Sequence, residues 1–194
     1  MISKDREYRG FEIRAAGDGE MIVEGYAAVF DESTVLYSYD GIDYLERVDP
    51  GAFEKAQMAD VVMNFNHQGK PVARTKNGTL TLSVDNHGLK VRADLSGTEE
   101  GRKLYDEIRG GYIDKMSFAF TVSEDSYDRD THTRTIRGIK RLFDVAAVDI
   151  PAYDATEISA RSWVEAEAEA QRMAEARARK IAKLRLKIKM EETA

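Results

Sequence analysis

The chain has 194 residues, which is enough for one well-buried domain but too few for two large ones. It contains no cysteine, and this excludes disulfides, a thiolate nucleophile and a cysteine-ligated zinc site. The formal net charge of −6 argues against nonspecific nucleic-acid binding by the chain as a whole.

The sequence carries no segment that predicts export or membrane insertion. It has no run of about 18 apolar residues, the length that a membrane-spanning helix needs, and its opening, MISKDREYRG, lacks the apolar core of a secretory signal. We therefore expect the protein to stay in the compartment where it is made. The three histidines (His67, His87 and His132) are scattered, which argues against a histidine-rich metal site. We expect neither a metal nor another cofactor.

The first part of the chain is rich in strand signals. Residues 21–30 (MIVEGYAAVF) form a long β-prone run, and residues 60–66 (DVVMNFN) predict a strand with a polar end. Between them, Asp49 followed by Pro50 is typical of a helix start, with aspartate as the N-cap and proline at the first helical position.

The following elements alternate between hairpin, helix and strand signals. Residues 79–84 and 89–95 flank the turn sequence DNHG and predict a β-hairpin. Thr98 then predicts the N-cap of a short helix, which a Gly-Gly pair ends. Residues 115–122 and 141–150 predict two further strands with a polar connection between them.

Many short strands with two interrupting helices predict an α+β fold. We expect mainly an antiparallel closed β-barrel with peripheral helices over residues 1–160. Residues 161–194 contain no Gly or Pro, are rich in Ala, Glu, Lys and Arg, and predict a long C-terminal helix. The acidic half of this tail precedes its basic half, as the helix dipole favours. A solvated helix, a helix that docks on a partner protein and a nucleic-acid arm all remain open for the tail.

Ser117 lies on a strand whose alternation is informative. Met116, Phe118 and Phe120 share one face, and Ser117 shares the other with Ala119. The apolar face is the natural core face, so Ser117 is expected to point away from the core with open space above it. A nucleophile needs such access, although a serine on a polar strand face is more often only a surface residue.

His67 and two aspartates are the candidates for assisting a nucleophile. His67 follows the strand at residues 60–66, and a neutral imidazole can accept a serine proton near pH 7. Asp144 and Asp149 interrupt the apolar run LFDVAAVDIPAY, where an acid costs stability unless it is paired or exposed. Their odd spacing puts them on opposite faces, so at most one can orient His67. Each is also open to a purely structural interpretation, as is His67 itself. His87 and His132 are interpreted as turn and surface residues.

Six short motifs occur in a characteristic order along most of residues 10–157. In this combination they resemble the prohead (capsid-maturation) serine proteases of tailed bacteriophages, a family related to the herpesvirus assemblin proteases. The motifs are GYAAVF (25–30), VDPGAF (48–53), FNHQ (65–68), ARTKNGTL (73–80), MSFAF (116–120) and VDIPAY (148–153).

The resemblance implies a closed β-barrel surrounded by helices, with His67 as the catalytic histidine and Ser117 as the nucleophile. The third member of the site is acidic in the phage enzymes, and Asp144 occupies the matching position. The family more commonly has Glu there, so Asp149 is kept as the alternative. Arg74 is a candidate for stabilising substrate or oxyanion, with a surface ion pair as the competing interpretation.

The function that the resemblance implies is serine endopeptidase activity by acyl-enzyme chemistry. Its implied substrates are the major capsid protein with its scaffolding segment and the protease itself, and self-association is an additional expected contact. The implied location is the assembling prohead in the host cytoplasm, without membrane or nucleic-acid partners.

Two other functions compete with this one. A non-catalytic assembly protein would bind capsid subunits through the barrel and the helical tail, with Ser117 and His67 incidental. Metal-dependent hydrolysis is disfavoured because no two histidines have a ligand spacing such as H-E-x-x-H.

Overall fold

The computed structural model describes residues 6–16, 20–39 and 41–149, together with residues 173, 177 and 179–181. Within these residues the fold is a ten-stranded sheet accompanied by one α-helix, α1 (Glu99–Arg109), and a short 3₁₀ helix (Thr75–Asn77). The predicted strand-rich α+β class is confirmed. The strands are β1 (Glu7–Ala15), β2 (Ile22–Val29), β3 (Thr34–Tyr39), β4 (Ile42–Val48), β5 (Val62–Phe65), β6 (Gln68–Arg74), β7 (Leu80–Val84), β8 (Gly88–Asp94), β9 (Lys115–Asp128) and β10 (Thr133–Val148).

The long strand β10 organises the sheet. One edge of β10 pairs antiparallel with β9. The other edge pairs in parallel with β4 through residues 133–136 and with β5 through residues 144–147. The remaining strands follow in the order β9-β1-β2-β8-β7, and all of these pairs are antiparallel.

The expected closed barrel is wrong, because the sheet stays open. A barrel requires each strand to have a neighbour on both edges. Here one edge of β10 is divided between the β3–β4 hairpin and the β5–β6 hairpin, so the sheet branches. In the part of the chain that the structure describes, β3 and β7 are the first and last strands of the order β3-β4-β10-β9-β1-β2-β8-β7, and no backbone pairing joins these two strands.

The signals for α1 and for the β7–β8 hairpin act as predicted. The hydroxyl of Thr98 accepts a hydrogen bond from the Gly101 backbone N–H at 2.9 Å, and this caps the helix. Asp85 closes the β7–β8 turn by accepting from the backbone N–H groups of His87 and Gly88. The helix buries an apolar stripe of Leu104, Tyr105 and Ile108.

The helix predicted after Asp49 is wrong, because residues 50–55 form successive turns. Asp49 does cap the segment, accepting from the Gly51 N–H at 2.8 Å. The carbonyl of Ala52, however, accepts from the N–H of Ile139 on β10, and the N–H of Ala56 donates to Phe53 instead. Backbone bonding to β10 therefore takes the acceptor that an α-helical turn would use.

The predicted alternation along β9 is confirmed. Met116, Phe118 and Phe120 are fully buried in the main hydrophobic core. Residues that pair directly across strands project to the same face of a sheet. The register places Ser117 beside Ala146 of β10, and Ala146 beside Asn64 of β5. This face of the sheet, opposite the core face, is called the site face below.

Five charged side chains form a buried charge cluster that connects β1, β4, β9 and β10. Arg134 contacts both Glu7 (2.6 Å) and Glu46 (3.0 Å), and Arg9 contacts the same two glutamates. Asp125 completes the cluster at 2.7 Å from Arg134. Burial by itself raises the pKa of Glu7, but the hydrogen bond and charge of Arg134, with the charge of Arg9, outweigh it and leave this pKa below its ordinary value. The two arginines thus favour the ionised form of the buried Glu7 carboxylate.

The predicted helical tail at residues 161–194 and the domain boundary before it lie outside the described residues, apart from five helical positions at 173, 177 and 179–181. No helix in the described part of the chain is both long and apolar enough to cross a membrane.

Candidate active site

His67 lies in the tight turn between β5 and β6. Phe65 pairs with Gln68, so Asn66 and His67 are the two turn residues, and both have positive φ values of 50° and 57°. This is the backbone sign of a type I′ hairpin turn, which asparagine tolerates well and histidine less so. The Asn66 N–H donates to the Ala147 carbonyl at 2.9 Å, which fixes the turn against the end of β10.

His67 is in direct contact with Asp144 of β10. The Nδ1 atom of His67 lies 2.5 Å from Oδ1 of Asp144, and the two side chains are only 14% and 10% exposed. An imidazole that donates from Nδ1 to a carboxylate presents Nε2 as a proton acceptor. The arrangement is therefore chemically suited to general-base work, with Asp144 holding the ring and its tautomer.

Ser117 projects from the same face of the sheet as Asp144. Asp144 pairs with Ala119, which is two residues from Ser117 on β9 and on the same face. The direct neighbours of Ser117 across the sheet are Ala146 on β10 and Gly10 on β1. The two residues that pair with Ser117 across the sheet are therefore both small.

The expectation of open space above Ser117 is wrong, because Ser117 is fully buried at 0% exposure. Its Oγ is a buried atom without a hydrogen-bond partner among the described residues. Alternation predicts which face a side chain takes but not whether that face is covered, and every residue from Met116 to Phe120 is buried. In this structure the Ser117 side chain is therefore not exposed to solvent.

The alternative acid, Asp149, lies immediately beyond β10 and is exposed. Its backbone N–H donates to Oδ1 of Asn66 at 3.3 Å, so it helps to fix the turn that carries His67. The acid that the structure brings to Nδ1 of His67 is Asp144.

The remaining polar candidates have structural partners. The Arg74 guanidinium forms two hydrogen bonds of 2.7 Å with the Asp60 carboxylate, which confirms the ion-pair interpretation. The hydrogen bond from Arg74 also lowers the pKa of Asp60. His87 is a turn residue, as predicted. His132 is half-buried, and its ring packs near that of Tyr44 with centroids 5.2 Å apart.

Asn64 is a polar residue of the site face that the sequence analysis did not single out. In the sequence it is one of several polar residues at the end of the predicted strand at residues 60–66. It is 7% exposed, and its Oδ1 is buried without a hydrogen-bond partner among the described residues. Its occurrence within the apolar run VVMNF, three residues before His67, is the signal that could have singled it out.

Comparison with known proteins gives one match. A family model for the caudovirus prohead serine protease matches residues 9–172 of the chain. This match spans all the residues of the site face named above. No curated protein and no solved structure matches the chain significantly.

Proposed function

The chain belongs to the caudovirus prohead serine protease family, and on this premise we propose that it is a serine endopeptidase with Ser117 as nucleophile, His67 as general base and Asp144 as the orienting acid. The observation that carries the assignment is the 2.5 Å contact between His67 Nδ1 and Asp144 on the face of the sheet from which Ser117 projects. Family membership supports a role in capsid maturation, and the geometry supports the choice of residues.

In the acylation step, Ser117 Oγ attacks the carbonyl carbon of the scissile peptide bond while His67 Nε2 takes the hydroxyl proton. Asp144 stabilises the positive charge that develops on the imidazole. When the tetrahedral intermediate collapses, the C–N bond breaks and His67 returns the proton to the leaving amine. The product of this half-reaction is a Ser117 ester and a free amino terminus.

In the deacylation step, a water molecule attacks the ester carbonyl and His67 accepts its proton. The C–O bond to Ser117 then breaks, and His67 gives the proton back to Oγ. The net reaction is hydrolysis of one peptide bond with the enzyme restored. No metal is required by this scheme, and the described residues contain no group of three or more His, Cys, Asp or Glu side chains able to hold one.

The proposed substrates are the scaffolding segment of the major capsid protein and the protease itself, cut inside the assembling prohead in the host cytoplasm. The charged tail at residues 161–194 is proposed to dock on the capsid or scaffold partner. Its sequence, acidic and then basic, favours a helix, the form in which such a segment could present one face to a partner.

The test is co-expression of the full chain with its cognate capsid protein, as wild type and as Ser117→Ala, followed by mass determination of the fragments. We expect capsid cleavage to fall by at least about 1,000-fold in Ser117→Ala. Ser123→Ala is the matched control, since Ser123 is an exposed serine on the same strand, and it should cleave like the wild type. Cleavage that persists in Ser117→Ala would overturn the assignment of the nucleophile. A wild-type chain that leaves the capsid protein uncut would favour the non-catalytic assembly function instead.

A further inference from the structure

Asn64 presents an unexplained polar group at the centre of the site face. Its side chain is buried, and its carbonyl oxygen lacks a hydrogen-bond partner in the described part of the chain. Buried polar atoms in folded proteins nearly always have a partner, so an exception inside a candidate active site calls for a functional reason. Ser117 Oγ, the other buried side-chain oxygen without a partner among the described residues, lies in the same row of the sheet.

The register fixes where Asn64 lies relative to the imidazole. The backbone of His67 lies in the turn that follows β5. Its ring extends back along β5 to Asp144, which pairs with Val62. Asn64 pairs with Ala146, halfway between the turn and Asp144. The imidazole must therefore pass alongside the Asn64–Ala146 pair. Because Ser117 is on the far side of Ala146, Asn64 flanks the ring on the side away from the nucleophile.

We propose that Asn64 is a positioning residue for the His67 base: its buried carboxamide oxygen stabilises the imidazolium that forms when His67 takes the Ser117 proton. This inference rests on the proposed function for its catalytic meaning. Asp144 holds Nδ1 from the β10 side, and Asn64 lies on β5 in the row of the sheet that the ring crosses on its way to Asp144. A fixed dipole in a dry site stabilises a developing charge without having to reorganise.

The two charged residues of the neighbouring strand β6 are paired with residues outside the site face. On β6, Lys70 pairs with Glu100 of α1 at 3.0 Å, and Arg74 pairs with Asp60. Charges of the described residues near the site face include Asp144, in contact with the ring, and Lys115 on β9 with Glu12 on β1 at 3.4 Å. They also include Arg6 and Arg141, which both lie over the Phe143 ring, and Asp149 after β10. Substitutions of Asn64 leave these charged residues in place, so a change in the titration of His67 would be attributed to the side chain at position 64.

The decisive measurement is the NMR titration of His67 in the full-length Ser117→Ala protein, which needs no catalytic activity. Asn64→Leu keeps the shape of the side chain and removes the carbonyl, so we expect the pKa of His67 to fall by about one unit. Asn64→Asp adds a negative charge at the same place, so the pKa should rise by about one unit or more. Thr121→Val, a similar polar-to-apolar change farther along β9, is the control and should leave the titration unchanged.

Opposite shifts in the two variants are the signature of an electrostatic contact, since a merely structural role would not reverse its sign. Unchanged titrations, or shifts in the same direction, would overturn the proposal. If Asn64→Leu does not fold, Asn64→Asp alone decides, because a carboxylate that leaves the pKa unchanged or lowers it contradicts the contact.

Kinetics with the active enzyme then connect the contact to catalysis. In Asn64→Leu, the acidic limb of the pH profile of kcat/KM should move to lower pH and kcat should fall about threefold to tenfold, because the base is weaker. If the titrations shift in opposite directions but no variant cleaves capsid protein, the contact stands and the proposed protease function fails. The two results are therefore separable.

Discussion

Replacing Asp144 by asparagine removes the negative charge that holds the His67 ring while keeping the size of the side chain. The asparagine amide donates a hydrogen bond where the carboxylate accepts one. His67 Nδ1 then becomes the acceptor of that bond, and the imidazole proton moves to Nε2. In this tautomer the ring cannot accept the Ser117 proton.

The size of the effect follows from the burial of the contact. The two side chains are 10% and 14% exposed, so solvent screens their interaction weakly. A hydrogen bond to a charged group contributes about 1.5–3 kcal/mol, which corresponds to about 10- to 150-fold in rate. Adding the loss of the productive tautomer, we expect kcat to fall by about 1,000- to 10,000-fold.

The assay is steady-state cleavage of a peptide that spans a mapped capsid cleavage site, using the full chain and near-UV circular dichroism to verify the fold. Asp149→Asn is the matched control, because Asp149 is the exposed alternative acid, and its activity should stay within about threefold of wild type. The reasoning is refuted if Asp144→Asn retains more than a tenth of wild-type kcat, and more decisively if Asp149→Asn loses more activity than Asp144→Asn.

Three further outcomes are expected. Arg134→Met removes a cation from two buried glutamates and should lower the free energy of unfolding in urea by about 3–5 kcal/mol. The control Lys103→Met breaks an exposed pair with Glu99 and should change this free energy by less than about 0.5 kcal/mol. Equal effects of the two substitutions would contradict the importance of the cluster. The pKa of Glu7 is lower in the folded protein than its ordinary value of 4.5, so the ionised Glu7 stabilises the fold fully above that pH. This stabilisation is lost as the pH falls through the lower pKa of the folded protein. Glu7→Gln should therefore reduce the loss of stability at acidic pH, and an unchanged pH dependence would count against the sign of the shift. His67→Gly should be more stable to thermal unfolding than His67→Ala by about 0.5–1 kcal/mol, because glycine adopts the positive φ of this position at no steric cost. If His67→Ala were the more stable variant, the turn would have to change its backbone conformation in the variants.

Local signals in the sequence predicted local structure well. The Thr98 cap, the DNHG turn and the alternation around Ser117 each act over a few residues, and the structure has all three. The segment after Asp49 was predicted as a helix for equally local reasons. It differs because the Ala52 carbonyl pairs with Ile139, a residue far away in the chain that no local rule includes.

Long-range pairing is what the sequence could not supply. The parallel pairing of β10 with β5 brings Asp144 next to His67, yet neither strand carries a sequence mark of its partner. The proximity of these two residues was predicted only through the family resemblance. The buried charge cluster was missed for the same reason: in sequence, Glu7 and Arg134 look like ordinary surface charges on strands, and only their mutual pairing makes burial tolerable.

The position of Asp144 on β10 also determines when during synthesis its contact with His67 can first form. His67 and Asp144 are 77 residues apart in the chain, and β10 is the last strand in the described part of the molecule. Contacts of such high sequence separation require a large loop to close and form late. During synthesis, both His67 and Ser117 leave the ribosome before Asp144. Under the proposed mechanism, a nascent chain therefore has Ser117 and His67 before Asp144 can orient the base, and we expect protease activity only once β10 has paired with β5.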